Sequence, residues 1–144
     1  LAGRKDHSVF EEIWHAIPAS GLEPAVLDAW DKVRQFREIV SKRIEEKRAA
    51  KQIGSSLAAE LDIQAHGPLF DALARLGDEL RFALITSRAS VREVQGAPGL
   101  VEVKPSEQPK CERCWHYRAD VDGAGLCARC ESNLSGPGET RSYA

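Results

Sequence analysis

The chain has 144 residues, of which 42% are hydrophobic and 29% are charged, with a formal net charge of −2. This balance predicts a globular protein with one modest core or two small ones, and it excludes a largely disordered chain. No window resembles a membrane-spanning helix or a signal peptide, so we expect a cytoplasmic, reducing setting. The slight negative charge gives no overall attraction for phosphate, so a nucleic-acid contact would need a local basic surface.

The N-terminal third predicts one long amphipathic helix. The chain begins at Leu1 with no apolar strand to start a fold, which suggests a segment of something longer. The predicted helix runs from Pro24 to Gly54, because proline suits a first turn and glycine a position just past a helix end. Its apolar residues recur at steps of three and four: Val26, Trp30, Val33, Phe36 or Arg37, Val40 and Ile44. Its many charges form either a solvated face of paired side chains or a stripe that follows phosphates.

The middle of the chain predicts a small α/β layer. Leucines at helical spacing predict a helix over residues 68–80, and alternating residues predict a strand over residues 100–105. The prediction is a strand–helix–strand unit with one or two further strands. The other predicted strands cover residues 56–65, Phe82–Thr86 and the neighbourhood of Val91–Val94. Residues 105–109 are the predicted linker between this layer and the C-terminal segment.

Four cysteines occupy one short stretch with the spacing C-x2-C-x12-C-x2-C: Cys111, Cys114, Cys127 and Cys130. Two residues between thiols let both sulfur atoms of a tight turn face one ion, and two such turns supply the thiolates of a tetrahedral zinc site. Disulfides or another thiophilic metal, such as iron, are the alternatives, although a reducing compartment disfavours disulfides. Four protein ligands leave no position for water, so we predict one structural zinc ion.

The residues around the cysteines offer little apolar core. From Lys110 onward the large apolar residues are Trp115, Tyr117, Val121, Leu126, Leu134 and Tyr143. A bound structural zinc contributes on the order of 10–16 kcal/mol in small peptides, far more than these side chains could. We therefore expect this segment not to fold without metal.

Several stretches resemble the C-terminal end of bacterial isoleucyl-tRNA synthetases. In chain order they are VFEEIW, AWDKVRQFREIVSKRIEEKRAAKQIGSSLAAEL, ELRFALITS and KCERCWHY…LCARCESNL…GETRSYA. The resemblance is collinear over nearly the whole chain, and together with the predicted elements it implies an α+β fold. It divides the chain into the end of a helical-bundle, anticodon-binding domain (1–56), a small α/β connecting region (57–105) and a zinc-binding knuckle module (106–144).

The resemblance also implies a function. The family ligates isoleucine to its tRNA with ATP and hydrolyses mischarged valine. The HIGH and KMSKS motifs that this chemistry needs are absent, so the segment is expected to have no catalytic or editing site, and ATP and Mg²⁺ belong to the parent enzyme. The expected partners are the anticodon stem-loop of isoleucine tRNA and the remainder of a monomeric synthetase, with no membrane.

In the family, the helical domain and the zinc module bind the anticodon stem and loop. Unstacked bases are read by aromatic stacking and by hydrogen bonds to their edges. The residues that we expect to contact tRNA are Arg113, Trp115, His116, Tyr117, Arg129 and Arg141. Alternatively, Trp115 caps the metal core, His116 competes as a ligand, and the arginines are solvated charges offset by nearby glutamates.

Two other function classes fit a four-cysteine module. Formamidopyrimidine-DNA glycosylases end in a related zinc finger, but this chain lacks their N-terminal Pro-Glu start and the helix–two-turns–helix segment before the finger. A freestanding zinc module that binds another protein is the second class. It predicts an exposed apolar surface and no salt-dependent affinity for RNA.

Overall fold

This computed structural model describes residues 21–143 together with Phe10, Ile13, Ala16 and Pro18. Most of the VFEEIW stretch therefore lies outside the described residues. The helices are α1 (Pro24–Ala49), α2 (Gly67–Ala74), α3 (Leu80–Leu84) and α4 (Ala128–Ser135); the strands are β1 (Ala59–Ala65), β2 (Arg88–Glu93) and β3 (Pro98–Pro105). This arrangement confirms the predicted α+β class. None of the described helices combines the length and apolar character that crossing a membrane requires.

Helix α1 is amphipathic as predicted, but it ends five residues earlier than Gly54. Phe36, rather than Arg37, faces the core, together with Val33, Val40 and Ile44. The helix stops because Lys51 adopts a left-handed conformation (φ 57°) just beyond it. Glycine is the usual residue for that conformation, so the sequence signal placed the end at Gly54.

The sheet has the strand order β2-β1-β3. β1 pairs in parallel with β2 and antiparallel with β3, so that Leu61 lies opposite both Ala89 and Val103. A parallel pair needs a crossover connection, which α2 and α3 supply between β1 and β2. A strand–helix–strand unit with one further strand is present as predicted, but its second strand is β2 (Arg88–Glu93) and not the predicted Phe82–Thr86.

The strand predicted over Phe82–Thr86 is wrong, because this stretch belongs largely to α3. Leu80 and Leu84 are both buried, at the four-residue spacing of one helix face. Ile85 then adopts a left-handed conformation (φ 55°) and ends the helix. The β-branched and aromatic residues favour a strand locally, but burial of the two leucines in the core decides the structure. Residues 56–58 likewise form a 3-10 turn before β1.

One hydrophobic core joins α1 to the α/β layer. It contains Val33, Phe36, Val40, Ile44, Ile53, Leu61, Ile63, Leu73, Leu80, Leu84 and Val103. The long helix is therefore packed on the sheet and on α2 and α3 in the described part of the chain. A domain boundary at residue 56 stays a prediction.

Truncation of Phe36 tests this core. Phe36 is 1% exposed, so we expect Phe36→Ala to lower the free energy of unfolding by about 3–5 kcal/mol, through lost burial and the cavity left behind. Ile39→Ala on the same helix is the control, because Ile39 is 44% exposed and its truncation should cost less than about 1 kcal/mol. Urea denaturation measures both, and equal losses would contradict the packing described here.

Candidate metal centre

The four cysteine sulfur atoms converge on one point. All four Sγ atoms lie within 4.8 Å of one another, and no disulfide joins them. The Sγ atoms of Cys114 and Cys127 are 3.7 Å apart. Zinc–sulfur bonds of about 2.3 Å in a tetrahedron place sulfur atoms roughly 3.8 Å apart, so the site fits a zinc ion. His116 is not one of the converging ligands.

The first pair of cysteines lies on a turn closed by backbone hydrogen bonds. The Cys111 N–H donates to the His116 carbonyl, and the Trp115 N–H donates to the Cys111 carbonyl, both at 2.9 Å. Lys110 and Tyr117 form a β-bridge across the base of the turn. Trp115 adopts a left-handed conformation (φ 64°), which reverses the chain immediately after the second cysteine.

The second pair lies at the start of α4. Cys127 directly precedes the helix and Cys130 lies in its first turn, so the helical backbone sets the spacing of the two thiols. The preceding loop is held by Asp122, whose Oδ1 accepts the N–H groups of Ala124 and Leu126 at 3.0 and 2.9 Å. We call residues 106–143, which contain both turns, the cysteine module.

The buried thiols have unequal proton affinities. Burial opposes ionisation of Cys111, but N–H groups of Cys114, Cys127 and Arg113 hydrogen bond to it and lower its pKa to about 6. Burial and the neighbouring thiols raise the pKa of Cys127 to about 12. A divalent cation would favour the thiolate form of every ligand, because it supplies the positive charge that the buried site otherwise lacks.

Arginines surround the sulfur atoms. Arg113 favours the thiolate form of Cys130 and so opposes the rise of its pKa, and Cys114 favours the charged form of Arg129. Burial opposes the charge of Arg129, but Cys114 and Glu139 outweigh that effect and raise its pKa. A divalent ion with four thiolates retains net negative charge, so these arginines are placed to offset it.

The apolar core of the cysteine module is small, as predicted. Its buried members are Cys111, Cys127 and Cys130, and only Cys114, Val121 and Leu126 pack against them among the described residues. The ring of Trp115 is outside this cluster and 59% exposed, so the interpretation of Trp115 as a cap on the metal core is wrong.

The exposed Trp115 side chain is held by contacts within its own turn. Its indole Nε1–H donates to the Glu112 carbonyl at 3.1 Å, and the Lys110 ammonium lies 5.1 Å from the ring centroid. Arg113, on the same turn, is also exposed. This turn therefore presents an exposed aromatic ring with the Lys110 cation beside it, and it carries a second exposed cation, Arg113. Lys110 was not among the predicted contact residues, although its position next to Cys111 could have drawn attention to it.

The other predicted contact residues have partners within the chain. His116 is half-buried and lies edge-on to the Phe82 ring at 5.7 Å; burial, then the charge of Arg129, lowers its pKa. Arg129 and Arg141 both donate to Glu139 Oε1, at 3.0 and 2.9 Å. The Tyr117 N–H donates to the Ser87 hydroxyl. Whether any of the six residues contacts tRNA stays a prediction.

Comparison with known proteins gives close relatives along the whole chain. The isoleucine–tRNA ligase of Paraburkholderia xenovorans is 53% identical over 142 residues, which is 95% of this chain, and that of Cupriavidus necator is 50% identical over 144 residues. The isoleucine–tRNA ligase of Chromobacterium violaceum is 44% identical over 100% of this chain. The chain spans only 15 to 16% of the length of these relatives. No protein-family model matches it.

Replacement of one ligand tests the four-sulfur site. We expect Cys127→Ser to release the metal and to unfold the cysteine module while α1 stays folded, because the module has little core of its own. Metal content by mass spectrometry and amide hydrogen exchange report the two effects separately. Wild-type protein treated with a chelator should give the same exchange pattern. Unchanged metal content in the variant would contradict the assignment of Cys127 as a ligand.

Proposed function

Because this chain is homologous over 95 to 100% of its length to isoleucine–tRNA ligases, also called isoleucyl-tRNA synthetases, we propose that it forms the C-terminal, tRNA-binding part of such an enzyme. The whole enzyme would ligate isoleucine to its tRNA with ATP in the cytoplasm. This segment would contribute binding and no catalytic group. Its partners would be isoleucine tRNA and the rest of the synthetase, within a monomer.

The metal in this proposal is one structural zinc ion. The four converging thiols, their near-tetrahedral separation and the adjacent arginines support it. Zinc bound by four cysteines has no open coordination position, so the ion would stabilise the two turns and take no part in a reaction. Cys111, Cys114, Cys127 and Cys130 would be its ligands.

The observation that carries the proposed tRNA contact is the exposed ring of Trp115 on a turn that the metal would hold. An unstacked anticodon base can stack on such a ring, and a ring fixed in advance loses little entropy on binding. Lys110 beside the ring and the exposed Arg113 on the same turn add positive charge that could meet a nucleic-acid phosphate. The chain therefore has a local cationic surface even though its net charge is −2.

His116, Tyr117, Arg129 and Arg141 have a second role in this proposal. Their internal partners, Phe82, Ser87 and Glu139, suggest that they orient the cysteine module and that Trp115 and Arg113 make the direct contacts. The DNA-repair interpretation gains no support, since the relatives found are tRNA ligases. A purely protein-binding module would also expose an apolar side chain, but it predicts no salt-dependent affinity for RNA.

Substitution of Trp115 tests the proposed contact. We expect Trp115→Ala to weaken binding of isoleucine tRNA by about 1–3 kcal/mol, the usual contribution of one base–aromatic stack, while one zinc ion per chain is retained. Trp115→Phe is the matched variant and should preserve most of the affinity, because it keeps an aromatic face. Binding titrations at several salt concentrations provide the measurement, and affinity should fall as salt rises. Unchanged affinity of Trp115→Ala, with zinc retained, would refute the stacking role.

A further inference from the structure

Residues 79–87 (ELRFALITS), here called the docking segment, contact the cysteine module at three separate places. The segment includes α3, and the left-handed conformation of Ile85 reverses the chain after it. Phe82 on the helix and Ser87 beyond the reversal can therefore both meet the module. The three contacts are Ser87 with Tyr117, Phe82 with His116, Arg129 and Arg141, and Glu79 with Ser142 and Tyr143.

Ser87 connects the sheet to the first metal turn. Its side chain is buried, and its hydroxyl accepts the Tyr117 N–H at 2.6 Å while donating to the Leu57 carbonyl. Its own N–H donates to the Ala59 carbonyl at 3.0 Å. One buried hydroxyl thus joins the 3-10 turn before β1 to the turn that bears the tryptophan. Loss of the hydroxyl would leave a buried donor and acceptor without these partners.

Phe82 provides an aromatic contact from α3. The guanidinium of Arg141 lies 4.1 Å from the ring centroid and that of Arg129 lies 5.2 Å away, while the His116 ring packs edge-on. Cation–π contacts of this kind are stronger when they are partly shielded from water. Arg129 and Arg141 also share the carboxylate of Glu139, so the ring contacts a connected group of charges.

Glu79 holds the last residues of the described chain. Its two carboxylate oxygens accept the N–H groups of Ser142 and Tyr143, each at 2.7 Å. The Tyr143 ring lies under the guanidinium of Arg75 from the region of α2, at 5.8 Å. The end of the cysteine module is thereby attached to the α/β layer through residues other than those of the Ser87 contact.

From these contacts we propose that Ser87 is a positioning residue for tRNA binding. Tyr117 closes the turn with Lys110, and Trp115 is two residues before Tyr117, so the Ser87 hydroxyl fixes the orientation of the exposed ring relative to the sheet and α1. Phe82 and Glu79 hold the rest of the module against the same segment. The inference rests on the proposed function, since it assumes that Trp115 contacts tRNA.

The matched pair Ser87→Ala and Thr86→Val tests this role. Both residues are buried, but the Thr86 hydroxyl donates only to the nearby Arg88 carbonyl at 3.3 Å. We expect Ser87→Ala to keep one zinc per chain, to speed amide exchange of Tyr117 about tenfold and to weaken binding of isoleucine tRNA about tenfold, the equivalent of one hydrogen bond. Thr86→Val should leave both quantities near the wild-type values.

The outcomes separate this inference from the proposed function. If Trp115→Ala weakens tRNA binding but Ser87→Ala does not, the positioning role is wrong and the proposed function stands. If Trp115→Ala has no effect, the proposed tRNA contact at Trp115 fails, and with it the role of Ser87. If Ser87→Ala loses zinc, Glu79→Gln replaces it, because that half-buried carboxylate holds the module through Ser142 and Tyr143, away from the cysteines in sequence. Faster exchange at Ser142 or Tyr143 with weaker tRNA binding would then support positioning by the docking segment, and unchanged binding would refute it.

Discussion

The C-terminal part of this chain depends on the convergence of four sulfur atoms within 4.8 Å. Beyond the linker, few apolar side chains are available, and regular structure among the described residues is limited to two single bridges and the short helix α4. An ion bound at the sulfur atoms would replace the missing core, since metal binding to such a site is itself folding free energy. The left-handed Trp115 directly follows Cys114, and α4 begins directly after Cys127, so a bound ion would fix both.

Charge explains which groups the arginines of the cysteine module contact. Arg129 lies between the Cys114 thiol and Glu139, and Arg141 shares the same carboxylate. Burial and then the positive charges of Arg118 and Arg129 lower the pKa of Arg81, on α3, to about 10. With a metal bound, the arginines would offset the negative charge of the thiolates, and Arg129 and Arg141 also attach the module to Phe82 of α3. The outward-facing cations are left near Trp115, where a polyanion could reach them.

Local patterns predicted the features that depend on local geometry. The two C-x2-C pairs predicted the convergence of the four thiols, because two intervening residues suffice to direct both thiols to one side of a turn. The apolar repeat of α1 was equally informative, since four of its members are buried. The stretch from Phe82 to Thr86 did not predict its own structure, because five apolar and β-branched residues fit a strand or a buried helix turn equally well. Only the burial of Leu80 and Leu84 against α1 and the sheet distinguishes the two.

Long-range contacts could not have been predicted from one sequence. Ser87 and Tyr117 are thirty residues apart, and no spacing rule predicts a hydrogen bond between a serine after a helix and a backbone N–H in the cysteine module. The exposure of Trp115 was also undecided, because an aromatic residue beside a ligand can cover the metal or face solvent. The structure resolves this through the hydrogen bond of the indole to Glu112, which keeps the ring outside the core.

Native mass spectrometry of the chain with isoleucine tRNA, before and after complete chelation, tests most directly whether a metal-held surface binds tRNA. The account predicts one zinc ion per chain, a complex with tRNA, and loss of that complex when the zinc is removed. A complex that forms equally well without zinc would contradict it, because the turn that presents Trp115 would then not depend on the four thiolates. Re-addition of zinc should restore the complex. A chain that takes up one zinc ion again without recovering tRNA binding would also contradict the proposed zinc-dependent contact.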